Sequence, residues 1–169
     1  MPRQMHWRSA ASVTLQIAVL GLLVLAFFMR TPQVSGLSMS PHIASGEFVL
    51  INTVAYRMHA PKRGEIIAFH HDGPTPEIFI KRIIGLPGDT VSVDRGAVLV
   101  DGRPLSEPYV RYPDDRSFPA VTVPAGSLYV LGDNRADSDD SRFWGFVAEN
   151  QVIGEAVAGI WPLANIGAL

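Results

Sequence analysis

The chain has 169 residues and no cysteine. This absence excludes disulfide bonds, thiol nucleophiles and zinc sites built from cysteine. An excess of charge is also missing, because 14 lysines and arginines stand against 16 aspartates and glutamates, a formal net charge of −2. Without a basic stripe, the sequence argues against nucleic acid as a main partner. The length suits one domain of ordinary size with a real core.

Turn residues are abundant, with 15 glycines and 13 prolines, which suits short strands. The predicted strands are Glu47–Asn52, Gly64–Phe69, Glu77–Gly85, Ser127–Asn134 and Val152–Pro162, with a hairpin from Val91 through Asp94-Arg95-Gly96 to Ala97–Val100. Pro-rich stretches such as "DGPTP" and "RYPDDRSFP" are predicted loops. We therefore expect one small all-β domain, because no useful helical period occurs outside the N-terminal region.

One long apolar run breaks this pattern, the charge-free stretch Ala10–Met29. As a helix of about 20 residues it would span roughly 30 Å, the thickness of a bilayer core. Arg3 and Arg8 precede it, so the positive-inside rule predicts a cytoplasmic segment 1–9 and an extracytoplasmic domain 30–169. A cleaved signal ending at Ala26 and a buried core helix are the alternatives; an uncleaved anchor is the preferred interpretation.

The stretch "FIKRIIG" places Lys81 and Arg82 side by side in an apolar strand. Because side chains alternate between faces, the two cations cannot both reach solvent on one face. A lysine in apolar surroundings has a lowered pKa and can take a proton from a hydroxyl. The alternative is an edge-strand lysine that discourages aggregation.

A candidate nucleophile lies in "SGLSMSPH", where Ser38 stands between Gly36 and Pro41. Gly36 permits backbone conformations that other residues avoid, so amide N–H groups there can point at a ligand. A purely structural role is the alternative, since serine favours turns.

The loop "GDNRADSDDSRFWG" crowds several acids and two arginines together. A calcium loop starting at Asp137 fails, because Arg142 falls where glycine is needed and Ala148 where glutamate is needed. The preferred interpretation is a rigid network with Ser138 holding a neighbouring polar group. The network members are Asp133 and Asp140 with Arg135 and Arg142.

Histidines offer a competing site. His70, His71 and Asp72 lie together before "GPTP", at a predicted hairpin tip, and His42 follows Pro41. A Ser-His-Asp triad with His42 or His70 remains an alternative. A metal site lacks a third ligand, and solvated surface histidines are the preferred interpretation.

In this order, from Val34 to Pro162, the segments "SGLSMSP", "RGEIIAF", "FIKRIIGLPGDTV", "GDNRADSDDSRFWG" and "GEAVAGIWP" resemble bacterial type I signal peptidase, a membrane-bound serine protease family. The resemblance implies antiparallel β-sheets, no metal or cofactor, and a role in removing signal peptides from exported preproteins. By the same resemblance Ser38 is the nucleophile, Lys81 the general base, Ser138 its hydrogen-bonding serine, and Asp140 with Arg142 the bracing pair.

The resemblance further implies an oxyanion hole from the backbone amides of Gly36 and Ser38, and an extended substrate that pairs near Val34 and near Phe79 and Ile80. It places the protein in the cytoplasmic membrane, in contact with the lipid bilayer and with the protein export machinery. The alternatives are a related Ser/Lys peptidase that matures one dedicated pilus or conjugation protein, and a non-enzymatic β-domain that binds peptides.

Three positions depart from the family pattern. Gly36 stands where some members have a serine hydroxyl, His42 where threonine is common, and Glu65 where aspartate is usual. The segment between Lys81 and Gly132 is short, so the extra β-domain of larger members is expected to be absent or minimal.

Overall fold

The computed structural model describes residues 5–71, 77–162 and 166–169. Its helices are α1 (Met5–Phe28), α2 (Ala55–Met58) and α3 (Ser141–Trp144). Its strands are β1 (Met29–Arg30), β2 (Phe48–Asn52), β3 (Ile66–His71), β4 (Glu77–Gly85), β5 (Thr90–Asp94), β6 (Ala97–Val100), β7 (Arg103–Pro104), β8 (Phe118–Thr122), β9 (Ser127–Leu131), β10 (Val147–Ala148), β11 (Val152–Trp161) and β12 (Gly167–Ala168). Short 3₁₀ turns occupy Arg135–Asp137 and Glu149–Gln151.

The strands form two antiparallel sheets, which confirms the predicted all-β fold. The large sheet has the order β1-β2-β11-β3-β4-β9-β10, with β12 on β11, and the small sheet has the order β7-β6-β5-β8. The small sheet falls between Lys81 and Gly132, in the segment expected to carry at most a minimal extra β-domain.

Strand β8 was not predicted from the sequence, and neither were the two-residue strands β1, β7, β10 and β12. β8 begins at Phe118, inside a stretch predicted to be a loop because of its prolines. Pro119 is tolerated there because β8 lies at the edge of the small sheet, where a missing N–H costs no ladder hydrogen bond. The predicted loop "DGPTP" and the tip of its hairpin lie almost entirely outside the described residues.

Side-chain alternation along β3 and β4 puts apolar residues on both faces of the large sheet. Ile66, Ala68 and Ile80 join one buried cluster with Met39. A second cluster on the opposite face contains Ile67, Phe69 and Ile83, with Phe79 packed against it. Both faces of the central strands are therefore covered, which explains why β4 reads as an almost unbroken apolar run around its two cations.

Helix α1 joins the large sheet without a linker. Its segment Ala10–Phe28 is long and apolar enough to cross a membrane, and none of it is buried against the rest of the chain. β1 follows at once and pairs with β2, with Met29 opposite Asn52. Thr53 donates to the carbonyl oxygen of Phe28 through both its backbone N–H (3.0 Å) and its hydroxyl (2.9 Å). These bonds fix the end of the helix against the β domain.

Candidate active site

A cleft of about 620 Å³ contains both residues of the predicted dyad. Its walls are residues 32–39 on one side and residues 77–81 of β4 on the other, with Asp137 and Asp139 at its rim. Ser38 and Lys81 both line it. The structure thus brings together two motifs that lie more than forty positions apart in the sequence.

Local turns and one buried neighbour hold Ser38 in place. Gly36 has a φ of +102°, a conformation that strongly favours glycine. The N–H of Ser40 donates to the carbonyl of Leu37 at 3.0 Å, and the side chain of Met39 is buried in the core. Ser38 itself remains half-buried at the cleft surface.

Asn134 ties this serine loop to the acidic loop. Its backbone N–H donates to the carbonyl of Ser38 at 2.9 Å, and its side-chain amide donates to the carbonyl of Leu37 at 3.2 Å. Both bonds come from one buried residue. Asn134 therefore sets the position of the serine relative to the loop that surrounds Lys81, a role that its sequence position alone did not reveal.

The two predicted oxyanion donors differ in the structure. The N–H of Gly36 donates to the hydroxyl of Ser45 at 3.3 Å, so this amide is engaged within its own loop. The N–H of Ser38 makes no hydrogen bond in the part of the chain that the structure describes. Gly36 supplies the turn at this point, and the oxyanion contacts of Gly36 and Ser38 stay predictions.

Lys81 is only 4% exposed, in the middle of β4 opposite Ile67. Its ammonium nitrogen lies 5.3 Å from the centre of the Phe79 ring. Burial lowers the pKa of Lys81 to about 8; the charges of Asp140 and Asp139 oppose this shift and that of Arg142 adds to it. An appreciable fraction of the lysine is therefore neutral near neutral pH, as a general base requires.

Arg82 points to the opposite face of β4 and is fully paired there. Its Nε and Nη2 donate to the two carboxylate oxygens of Asp133, at 2.8 and 2.6 Å, and its Nη1 donates to the carbonyl of Gly64 at 2.7 Å. The Tyr109 ring covers the guanidinium at 4.1 Å. The adjacent cations thus have different surroundings. Arg82 forms a bidentate ion pair, whereas burial lowers the pKa of Lys81.

The acidic loop contains the predicted pair of Asp140 and Arg142, in which Nε donates at 2.7 Å and Nη2 at 2.9 Å. The rest of the predicted network is wrong in its partners. Asp133 binds Arg82, and Arg135 binds Glu107 through two nitrogens at 3.0 and 2.5 Å. The loop supplies its arginines with Asp140 and with main-chain carbonyls, and their further carboxylate partners come from elsewhere in the chain.

Those partners lie in residues 105–117, which we call the bracing segment, between β7 and β8. Glu107 pairs with Arg135, and Asp114 accepts from Nη1 of Arg142 at 2.8 Å. The backbone of Ala136 donates to the carbonyl of Tyr112 at 3.2 Å. Sequence reasoning missed this segment, although carboxylates and tyrosines in a Pro-rich stretch were a signal available to it.

Ser138 and Gly132 meet directly behind the dyad. The Ser138 hydroxyl is buried and has no hydrogen-bond partner among the described residues. A Cβ at Gly132 would overlap this hydroxyl and lie 2.5 Å from the carbonyl oxygen of Ser38. Only glycine allows the loops that carry the two serines to approach this closely.

The histidines do not assemble a competing site among the described residues. His42 and His70 are exposed, as predicted. His71 is half-buried, because its ring stacks on Phe79 at 4.6 Å and contacts Trp144 at 4.8 Å, which corrects the expectation of a solvated side chain. Asp72 lies outside the described residues. The described parts of the chain hold no group of three His, Asp or Glu residues arranged for a metal ion.

Two cleft residues present their side chains rather than their backbone. Val34 donates its N–H to Glu47 at 2.7 Å and accepts from Gly46 at 2.8 Å, so its backbone faces inward. Phe79 alternates in step with Ile83, whose backbone bonds to the β3 side, so the backbone of Phe79 also faces that side. Substrate pairing near Val34, Phe79 and Ile80 stays a prediction.

Comparison with known proteins fits this geometry. A family described as "Signal peptidase, peptidase S26" matches residues 7–161. This chain belongs to that family. Signal peptidase I of Leptolyngbya laminosa is 40% identical over 158 residues, covering 89% of this chain and 78% of the relative. Signal peptidase I of Bacillus caldolyticus is 35% identical over 174 residues, covering 95% and 91%.

A solved structure extends the likeness to the fold. The crystal structure of a signal peptidase I from Enterococcus faecalis has 37% sequence identity and a TM-score of 0.51, covering 57% of this chain and 97% of the crystallised chain. The resemblance drawn from the sequence is confirmed at the level of family and fold. The chain is a member of the peptidase S26 family, with one apolar N-terminal helix consistent with a membrane anchor.

Proposed function

We propose that this member of the signal peptidase family cleaves signal peptides from preproteins, with Ser38 as nucleophile and Lys81 as general base. One observation carries the proposal: a lysine that is 4% exposed, with a pKa lowered to about 8, lines the same cleft as a half-buried serine. Burying a lysine destabilises the folded protein. A buried lysine in a cleft therefore indicates a functional role and not only a structural one.

The reaction is peptide hydrolysis through an acyl-enzyme. Neutral Lys81 takes the hydroxyl proton of Ser38 while the serine oxygen attacks the scissile carbonyl. Lys81 then gives this proton to the leaving amine, and the C–N bond breaks. A water molecule, deprotonated by Lys81, attacks the ester in the second half, and the proton returns to Ser38. The Ser38 amide, which has no acceptor among the described residues, is placed to hold the oxyanion.

The substrate adds as an extended strand between the two walls of the cleft. On β4, Ile83 exchanges hydrogen bonds with Gly64 and Glu65, so by alternation the backbone groups of Ile78 and Ile80 face the other edge. That edge is open there, because β9 pairs only from Arg82 onward. On the opposite wall, the inward pairing of Val34 leaves the backbone groups of Gln33 and Ser35 directed at the cleft.

The wider setting follows from the helix. We place residues 1–9 in the cytoplasm, residues 10–29 across the cytoplasmic membrane, and the peptidase domain 30–169 at its outer face, in contact with the lipid bilayer and the export machinery. Arg3 and Arg8 before the apolar run support this orientation. A dedicated single substrate is the less favoured alternative, since both walls of the cleft offer main-chain groups that any extended peptide can pair with.

The test is cleavage of several unrelated preproteins by the full-length protein in detergent micelles, with the products sequenced. Ser38→Ala and Lys81→Ala should each lower the rate by roughly 10³-fold or more while leaving the fold intact. Ser40→Ala in the same loop and Lys62→Ala at the surface are the matched controls. If Lys81→Ala stays active and His42→Ala does not, the histidine site replaces this proposal.

A further inference from the structure

A second cleft, of about 590 Å³, lies where α1 meets the β domain. Its walls are the helix end with Arg30, the turn 53–57, His70, and residues 150–153. It shares no lining residue with the active-site cleft. The peptidase mechanism leaves this cleft without a role.

The position of this cleft is fixed relative to the apolar helix. The two hydrogen bonds from Thr53 to the Phe28 carbonyl and the pairing of Met29 with Asn52 hold the domain directly against the helix end. Phe27 is 81% exposed, and its ring meets that of Phe28 edge-on at 5.3 Å. Because the apolar segment that we propose to span the membrane ends at Phe28, a bilayer crossed by it would place this cleft at the level of the lipid headgroups.

The charges in the cleft have one sign. Its charged side chains are those of Arg30 and Arg57, and its wall includes no aspartate or glutamate. Across the described ranges, neither Arg30 nor Arg57 forms an ion pair or a side-chain hydrogen bond. The arginines around the active site, by contrast, are all paired with carboxylates. A guanidinium fork without a carboxylate partner suits a phosphate group.

We propose that this cleft binds the phosphate of an anionic phospholipid. Arg30 and Arg57 donate to the phosphate oxygens, while Phe27 and Phe28 contact the upper acyl chains. The charge of the cleft and its location beside the end of the spanning segment identify this occupant. A bound lipid would add a second attachment to the membrane beside α1, which would limit tilting of the helix and the domain together and keep the active-site cleft at one height above the bilayer. The proposal does not depend on the peptidase chemistry.

The experiment uses the full-length protein in neutral detergent micelles, titrated with phosphatidylglycerol or phosphatidylcholine, and counts bound lipids by native mass spectrometry. The wild type should prefer phosphatidylglycerol. Arg30→Gln/Arg57→Gln should reduce this preference about thirtyfold, and each single variant about fivefold, which corresponds to about 1 kcal/mol per guanidinium. Arg103→Gln/Arg111→Gln removes the same charge from exposed sites outside the cleft and should leave the preference unchanged.

Three results would overturn the proposal. Equal binding of both lipids by the wild type would mean that no anionic site exists. An equal loss in the Arg103/Arg111 control would mean that diffuse surface charge, not the cleft, attracts the lipid. Displacement of phosphatidylglycerol by soluble glycerol phosphate at matched concentration would mean that the site takes a free phosphate ester and not a membrane lipid. Unfolding temperatures in lipid-free micelles check that the variants fold; both arginines are exposed, so no change is expected.

Discussion

Lys81 has two sides with different surroundings, the cleft side, which we call the front, and the side of the buried ion pairs, which we call the back. In front, the active-site cleft is lined by residues 32–39 and 77–81, with open strand edges and apolar side chains. Behind it, buried ion pairs join the acidic loop to β4 and to the bracing segment. Main-chain edges can accept many peptide sequences, whereas buried charge pairs fix one geometry. The contrast indicates that substrate tolerance and catalytic positioning are kept in separate parts of the site.

The charges at the back also affect the pKa of Lys81. Asp140 is close enough to raise the pKa of Lys81, which would oppose its use as a base. Arg142 pairs with this carboxylate at 2.7 Å and itself lowers the pKa of the lysine. The pair therefore allows a carboxylate to brace the loop while the arginine offsets part of its effect on the pKa of Lys81. Burial then dominates, and the pKa falls to about 8.

The substitution with the largest expected effect is Arg142→Met, at the back of the site. Its removal strands the buried carboxylate of Asp140 and leaves Asp114 paired with Arg116 alone among the described residues, which should lower the free energy of unfolding by about 3–5 kcal/mol. The pKa of Lys81 should rise, so the acidic limb of the pH–rate profile should move to higher pH. Urea unfolding and the profile measure both effects.

The control for this variant is Arg95→Met, since the Arg95 side chain is 85% exposed and its ion pair with Asp94 is long, at 3.6 Å. It should change neither quantity. An Arg142→Met protein with wild-type stability and an unmoved acidic limb would show that the ion pair has no part in tuning the lysine.

A gain in stability is expected for Lys81→Met. The folded-state pKa of about 8 lies below the ordinary value of 10.5, so the folded protein binds fewer protons between these values. The buried ammonium thus costs about 3 kcal/mol below pH 8, and this cost disappears as the pH rises towards 10.5. Lys81→Met should therefore unfold at a higher temperature than Ser38→Ala at pH 7, and the difference should shrink at pH 9.5.

Equal differences at both pH values would contradict the lowered pKa. The same shift governs catalysis, since only the neutral lysine is a base. Below pH 8 the rate should rise about tenfold per pH unit and then level off.

Substitutions in the bracing segment should cause smaller losses of activity and stability. Glu107→Gln and Asp114→Asn each keep shape but remove one charge, which should lower kcat about tenfold and stability by about 1–3 kcal/mol, with KM nearly unchanged because the front is untouched. Asp115→Asn, at the exposed neighbouring position, is the control. A raised KM with constant kcat would place the bracing segment in substrate binding instead.

Front and back also differed in how far the sequence predicted them. Ser38, Lys81 and the pair of Asp140 with Arg142 stand in motifs, and alternation along β4 correctly separated the surroundings of Lys81 from those of Arg82. Glu107 and Asp114 lie 28 positions from the arginines that they neutralise, and no local pattern selects one carboxylate over another at that separation. His71 is half-buried because Phe79 and Trp144 pack against its ring. Local rules predict strands and turns, whereas partner choice depends on the tertiary fold.

The smallest effect, and the sharpest test of the front, concerns main-chain pairing with the substrate. Replacing single amides of a precursor peptide by esters removes one N–H donor at a time. If the peptide lies between the edge at Ile78 and Ile80 and the edge at Gln33 and Ser35, each lost bond should cost about 0.5–1.5 kcal/mol, up to roughly tenfold in kcat/KM. A loss should occur at each peptide position whose N–H donates to a backbone carbonyl of the cleft walls. Because successive N–H groups of an extended strand point to opposite sides, neighbouring losses should report on opposite walls.

Combining the scan with Ile78→Pro, which deletes one N–H from β4, should weaken binding without changing the pattern on the other wall. A flat scan along the peptide would mean that side-chain pockets, and not the strand edges, hold the substrate.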